Sequence, residues 1–190
     1  MKYNLEWARR EYDSGVRRKV IPFWGHTRDM DSPKMTKACL SQWYPCEFAV
    51  EGVAYRTAEQ YMMAQKAILF GDRGTAQKIM SAETPSEYKS LGREVVGFDQ
   101  ATWDARKADI VLSGTLAKFS QNPELRVFLL GTGDALLVEA SPYDGIWGVR
   151  LGIRDSGIDN PNCWRGENLL GFSLMEARDV LRGDADETSD

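Results

Sequence analysis

TAEQYMMAQKAILF, residues 57–70, carries the clearest helical pattern in the chain. Thr57 suits an N-cap, and Gln60 three residues on matches a capping box. Gly71 follows as a stop. Seven steps along a helix turn it through about 700°, so Glu59 and Lys66 share a face about 10 Å apart along the axis. Met62 and Met63 lie between them, and Tyr61 and Gln65 form an adjacent stripe. Spacing leaves two readings open. One is a buried methionine stripe bounded by a surface Glu and Lys. The other is a pair of reacting groups. An amine beside apolar side chains loses hydration, which lowers its pKa and makes it a nucleophile for a sugar carbon. A carboxylate moves protons. Cleavage of a glycosidic bond needs that division of labour.

The pieces near Glu47–Val50 and Val53–Arg56 flank Glu51-Gly52 and predict a hairpin. VIPFW, residues 20–24, reads as a short strand, followed by a polar loop from His26 to about Ala38. Helices are expected over Arg73–Ala82, Ser86–Leu91, Gln100–Ser120, Pro123–Leu130 and Ser173–Arg182. In the longest, Trp103 pairs with Ile110, and Leu112, Leu116 and Phe119 recur at i, i+4 and i+7. Residues 131–171 are rich in Gly, Asp, Asn and Pro, which is loop composition. The expected fold is α+β, a single mainly helical domain over residues 20–183 with a small antiparallel sheet. Residues 1–19 are expected to form a basic arm or helix, and 184–190 a disordered acidic tail.

The chain has 190 residues and a net charge of −4. The length suits one sizeable core, and the charge argues against a generally basic nucleic-acid binder. No run approaches the roughly 20 apolar residues of a membrane span, and the first residues lack the apolar core of a secretory signal. Three cysteines, Cys39, Cys46 and Cys163, without a Cys-x-x-Cys pair, suit a reducing compartment. A cytoplasmic enzyme without cofactor is the expectation. With His26 as the lone histidine, neither a metal site nor a histidine-based triad has support.

A second cluster follows in VEASPYDGIWGVRLG, residues 138–152. Glu139, Asp144 and Trp147 fall within nine positions, and Gly148 permits a ligand or backbone to come close. An indole beside carboxylates is either a stacking platform for a base or a core plug with turn-capping acids. Asn168 is either a sugar partner or a turn former. Trp103 and Arg106, one turn apart, either hold a ring and a phosphate or mark the rim of the core.

The order of these clusters resembles the NADAR superfamily and its YbiA-like N-glycosidases. The matching pieces are PFWGH, SQWYPCEFAVEGVAYRTAEQYMMAQKA, the stretch from WDARKADIV to SPYDGIWG, and GENLLGFSLMEARDVL, spanning about residues 22–182. The resemblance implies an N-glycosidase. Its substrates would be ribosylated intermediates of riboflavin synthesis or guanine bases in DNA or RNA that carry ADP-ribose. A cognate ADP-ribosyltransferase toxin would then be encoded elsewhere. It implies Lys66 as the Schiff-base lysine and Glu59 as the proton shuttle. Asp144 would orient the ribose hydroxyls or the attacking water. Trp103, Trp147, Gly148, Glu139, Asn168, Arg106, Tyr61, Phe23, Trp24, Gly25 and His26 would contribute to substrate binding. Residues 149–168 are longer than the YbiA-like pattern and hold Arg150, Arg154 and Arg165. Together with the basic arm they favour ADP-ribose, whose pyrophosphate needs positive contacts. Two other classes of function are a binding module for ADP-ribose or NAD and a protein-interaction domain.

Overall fold

The computed structural model describes residues 1–27 and 34–187, the last four of these through their backbone only. The elements are α1 (Leu5–Asp13), β1 (Val20–Phe23), a 3-10 turn (Lys37–Leu40), β2 (Phe48–Val50), β3 (Val53–Tyr55), α2 (Ala58–Leu69), α3 (Arg73–Ser81), α4 (Pro85–Arg93), α5 (Gln100–Gln121), α6 (Pro123–Gly131), β4 (Leu136–Glu139), a second 3-10 turn (Pro161–Cys163) and α7 (Leu169–Glu187). The α+β class, mainly helical, is as expected. The chain forms two compact units. One is the contiguous segment Gln42–Asn122, and the other joins Met1–Ser41 to the chain from Pro123 onward.

In the contiguous unit, Glu51 and Gly52 take φ of 51° and 79°. Two successive positive φ values are what a two-residue hairpin turn needs, and they pair Phe48 with Tyr55. The outer edge of β2 is closed by a side chain: Gln121 accepts from Ala49 N at 2.8 Å and donates to Ala49 O at 2.7 Å. Thr57 Oγ1 caps α2 by accepting from Gln60 N. The other half of the expected capping box is absent. Gln60 Oε1 accepts from Arg56 N, and its amide nitrogen donates to Ile79 O, tying α2 to α3. A full capping box stands instead at Thr84 and Glu87, opening α4.

Two glycines set how closely the helices approach α2. A Cβ on Gly92 of α4 would lie 2.1 Å from Met63 Sδ, and one on Gly114 of α5 would lie 2.5 Å from the Tyr61 ring. Tyr61 also packs edge-on to Tyr55, centroids 5.1 Å apart. The buried face of α5 differs from the expected one. It runs through Trp103, Lys107, Val111, Gly114, Thr115, Lys118 and Phe119, whereas Leu112 and Leu116 are only half-buried. A count of apolar types passes over lysine, whose aliphatic stem packs well while the amine seeks a partner. Lys107 finds Asp104 at 2.6 Å. Lys118, 1% exposed, lies over the Tyr44 and Phe119 rings.

In the second unit β1 pairs in parallel with β4, Val20 opposite Leu136 and Phe23 opposite Glu139. The expectation of an antiparallel sheet therefore covers only the hairpin. β4 lies inside the stretch expected to be loop. Its residues Leu136, Leu137 and Val138 are all buried, so the apolar–polar alternation that marks a half-exposed strand is missing. The outer edge of β4 is also closed by a carboxamide. Asn168 donates to Leu137 O at 2.9 Å and accepts from Glu139 N at 3.0 Å. It does so at φ 55°, a conformation Asn tolerates better than most residues. α7 starts at Leu169 and runs to Glu187. The acidic residues before 188 thus continue the helix, where the sequence suggested disorder; residues 188–190 lie outside the described residues. The basic arm forms α1 and docks on α7, Tyr3 donating to Glu176 and Asp179.

Asn168→Ala leaves two buried backbone groups unpaired and places alanine at positive φ. Urea denaturation is expected to show a loss of about 3 kcal/mol; a loss below about 0.5 kcal/mol would remove the edge-closing role from Asn168.

Candidate active site

Lys66 sits in the last turn of α2 and is half-buried. Its Nζ donates to the Gly92 carbonyl at 2.7 Å. That carbonyl belongs to the last turn of α4, where helix carbonyls lack intrahelical partners and the helix end carries partial negative charge. The amine lies 4.4 Å from the centre of the Phe98 ring and 5.7 Å from that of Trp103. The carbonyl and the ring faces favour the ammonium form. Burial and the neighbouring Arg93 guanidinium oppose it. Burial is the larger effect, and the amine's pKa is lowered from the ordinary lysine value. A lowered pKa raises the neutral, nucleophilic fraction near neutral pH.

Glu59 lies in the first turn of the same helix and is 5% exposed. Its backbone N–H donates to Gln42 O, which anchors the start of α2. Trp103 is buried and contributes its ring to the lysine's surroundings. Arg106, three residues on, is exposed, so the Trp103–Arg106 pair is split between inner and outer faces of α5. Tyr61 is a core aromatic, its hydroxyl pKa raised by burial. Gly92, Arg93 and Phe98 carried no signal in the sequence. They lie 26 to 32 positions from Lys66, and only the crossing of α4 over α2 brings them near.

In the other unit the loop after β4 is held by backbone groups. Asp144 Oδ1 accepts from Ile146 N at 2.9 Å and Trp147 N at 2.8 Å, so this carboxylate shapes the turn. The Ile146 and Trp147 carbonyls accept from Leu169 N and Leu170 N, capping the start of α7. Gly148 has no room for a side chain: a Cβ would lie 2.8 Å from Glu139 O. Its close approach is to backbone. Asn168 uses both amide atoms on β4. Trp147 and Glu139 are half-buried. Phe23 is fully buried, Trp24 is 54% exposed, Gly25 turns the chain at φ 86° and His26 is half-buried. Arg150, Arg154 and Arg165 are exposed.

Comparison with known proteins extends this picture. The family model described as "NADAR domain" matches residues 22–182. The chain belongs to the NADAR family. An N-glycosidase of Acanthamoeba polyphaga mimivirus is 46% identical over 145 residues, 74% of this chain and 85% of that protein. A riboflavin biosynthesis protein of Vibrio vulnificus is 31% identical over 79% of this chain, which spans 37% of that longer protein. The solution structure of Escherichia coli YbiA superposes with a TM-score of 0.72 at 28% identity, covering 90% of this chain and 89% of YbiA. At family level this NADAR protein is a YbiA-like hydrolase of N-glycosyl bonds. The match runs through both units and begins after α1.

Two outcomes follow. Arg93→Ala removes a repelling charge and raises the Lys66 pKa, so brief acylation at pH 8, read by mass spectrometry, labels Lys66 more slowly than in the parent. Equal or faster labelling would contradict the electrostatic account. Asp144→Ala costs about 1 kcal/mol, the typical value of a lost cap, whereas Asp144→Asn keeps an acceptor oxygen and recovers most of it. Equal losses in the two variants by chemical denaturation would mean that the carboxylate does not shape the turn.

Proposed function

We propose that this NADAR protein cleaves the N-glycosidic bond between a ribose and its base, removing ADP-ribose from guanine bases in nucleic acid. The observation that carries the reading is the Lys66 amine, held by the Gly92 carbonyl near the Phe98 and Trp103 rings, with a lowered pKa, on the helix that buries Glu59. In this mechanism the neutral amine attacks the anomeric carbon. The carbon–nitrogen bond breaks, and its electron pair leaves with the base, which takes a proton from the Glu59 carboxylic acid. The lysine nitrogen loses its proton and the ring oxygen gains one, opening the sugar to an imine on Lys66. Water, deprotonated by the Glu59 carboxylate, then hydrolyses the imine and releases the sugar aldehyde and the free amine. The net change is addition of one water across the bond.

ADP-ribose is preferred on the sequence: residues 149–168, longer than the YbiA-like pattern, carry Arg150, Arg154 and Arg165, and a guanidinium is the group that pairs well with phosphate oxygens. The Vibrio relative's name supports a second reading, hydrolysis of a ribosylated intermediate of riboflavin synthesis. A DNA oligonucleotide bearing ADP-ribosylated guanine discriminates the two: release of free ADP-ribose is expected. An intact oligonucleotide beside rapid hydrolysis of the ribosylaminouracil intermediate would reverse the order. Tight binding of ADP-ribose without any released base would replace the enzyme by a binding module. Borohydride added during turnover should trap a sugar on Lys66, and Glu59→Gln should slow turnover by about 100-fold or more. Absence of a Lys66-dependent adduct would rule out the covalent step.

A further inference from the structure

Phe98 stands beside the Lys66 amine. It lies in the segment between α4 and α5, and 41% of it is exposed although its ring centre is only 4.4 Å from Lys66 Nζ. An apolar ring left open to water next to a nucleophile costs hydrophobic free energy unless something covers it in use.

The segment that carries it is fixed at several points. Asp72 caps α3 by accepting from Thr75 N with one carboxylate oxygen, and with the other it accepts from Val96 N at 2.9 Å. Gly97 turns at φ 74°, and Asp99 caps α5 through Thr102 N at 2.7 Å. The Phe98 ring itself leans on Phe70, centroids 5.2 Å apart and planes at 60°. The ring is therefore held in place before any ligand arrives.

We infer that Phe98 is the surface against which the base of the substrate stacks. This rests on Lys66 as the attacking group. A nucleophile meets its carbon at roughly 3–3.5 Å, and the base is one covalent bond from that carbon. Stacked rings sit about 4.5–7 Å centre to centre. A base displaced by Lys66 can thus reach stacking range of a ring 4.4 Å from Nζ when the sugar approaches along the ring rather than away from it. The exchange is also electrostatically consistent. The ring face attracts the ammonium form; once the amine is neutral that attraction lapses, and the face is free for a heteroaromatic ring.

The test compares the parent, Phe98→Leu and Phe98→Trp in calorimetric binding of guanosine 5′-monophosphate and of ribose 5-phosphate, which lacks the base. Turnover of the ADP-ribosylated oligonucleotide is followed alongside. Phe98→Leu should weaken the nucleotide about tenfold or more, leave ribose 5-phosphate unchanged, and raise KM more than it lowers kcat. Phe98→Trp should restore both. Unchanged nucleotide binding in Phe98→Leu, an equal loss for both ligands, or no nucleotide binding by the parent would overturn the inference. A parent that binds the nucleotide through Phe98 yet releases no sugar would instead refute the glycosidase mechanism and leave the stacking role standing.

Discussion

A two-stranded sheet has an unpaired edge on each strand, and buried backbone amides do not tolerate being left without partners. Among the described residues the protein forms two such sheets, and it closes one edge of each with a carboxamide. Gln121 reaches back from the end of α5 to Ala49, and Asn168 reaches from the start of α7 to Leu137 and Glu139. Each amide offers one donor and one acceptor at the spacing of a missing strand. Each also ties a helix end to a strand, so that strand closure and helix position become the same constraint. In the second unit much follows from it. Gly171 lies so near β4 that a Cβ would be 2.1 Å from Leu137 O, and the 145–149 turn lends its carbonyls to the helix that Asn168 precedes.

The surroundings of Lys66 show how opposing effects are set against one another. The α4 carbonyl and two ring faces hold the amine in position and favour its charge. Burial and Arg93 remove that charge more readily than water would. Positioning and the lowered pKa thus come from different groups. Such a division matters because an amine tethered only by charge would lose its position on losing its proton. A neutral amine still donates to the Gly92 carbonyl. The fold achieves this with the glycine itself, since only a residue without a Cβ lets α4 cross over Met63.

Local signals in the sequence were strong where one short segment suffices. The hairpin at Glu51-Gly52, the Thr57 cap and the stop at Gly71 depend on neighbours within four residues, and the structure has them. The shared face of Glu59 and Lys66 follows from helical geometry alone. β4 was hidden because a strand buried on both sides has no period-two pattern. The buried lysines of α5 were hidden because lysine counts as polar in any such pattern, although Lys107 falls one turn from Trp103. Gly92, Arg93 and Phe98 belong to α4 and the segment after it, and no motif ties them to α2. Asn168 was legible as a turn former or a sugar partner. The choice required seeing where its two amide atoms go.

The parallel pairing of β1 with β4 joins Val20 to Leu136, while Gln42–Asn122 is one unbroken stretch. During synthesis the chain emerges from its N-terminus. The contiguous segment can complete its own contacts as soon as it is made, whereas β1 must wait for a partner more than a hundred residues downstream. Closing so long a loop costs entropy before any contact returns it, and pairings of that span slow folding. The topology thus favours an order of assembly in which the segment that carries Lys66 and Glu59 completes its own contacts before β1 finds β4.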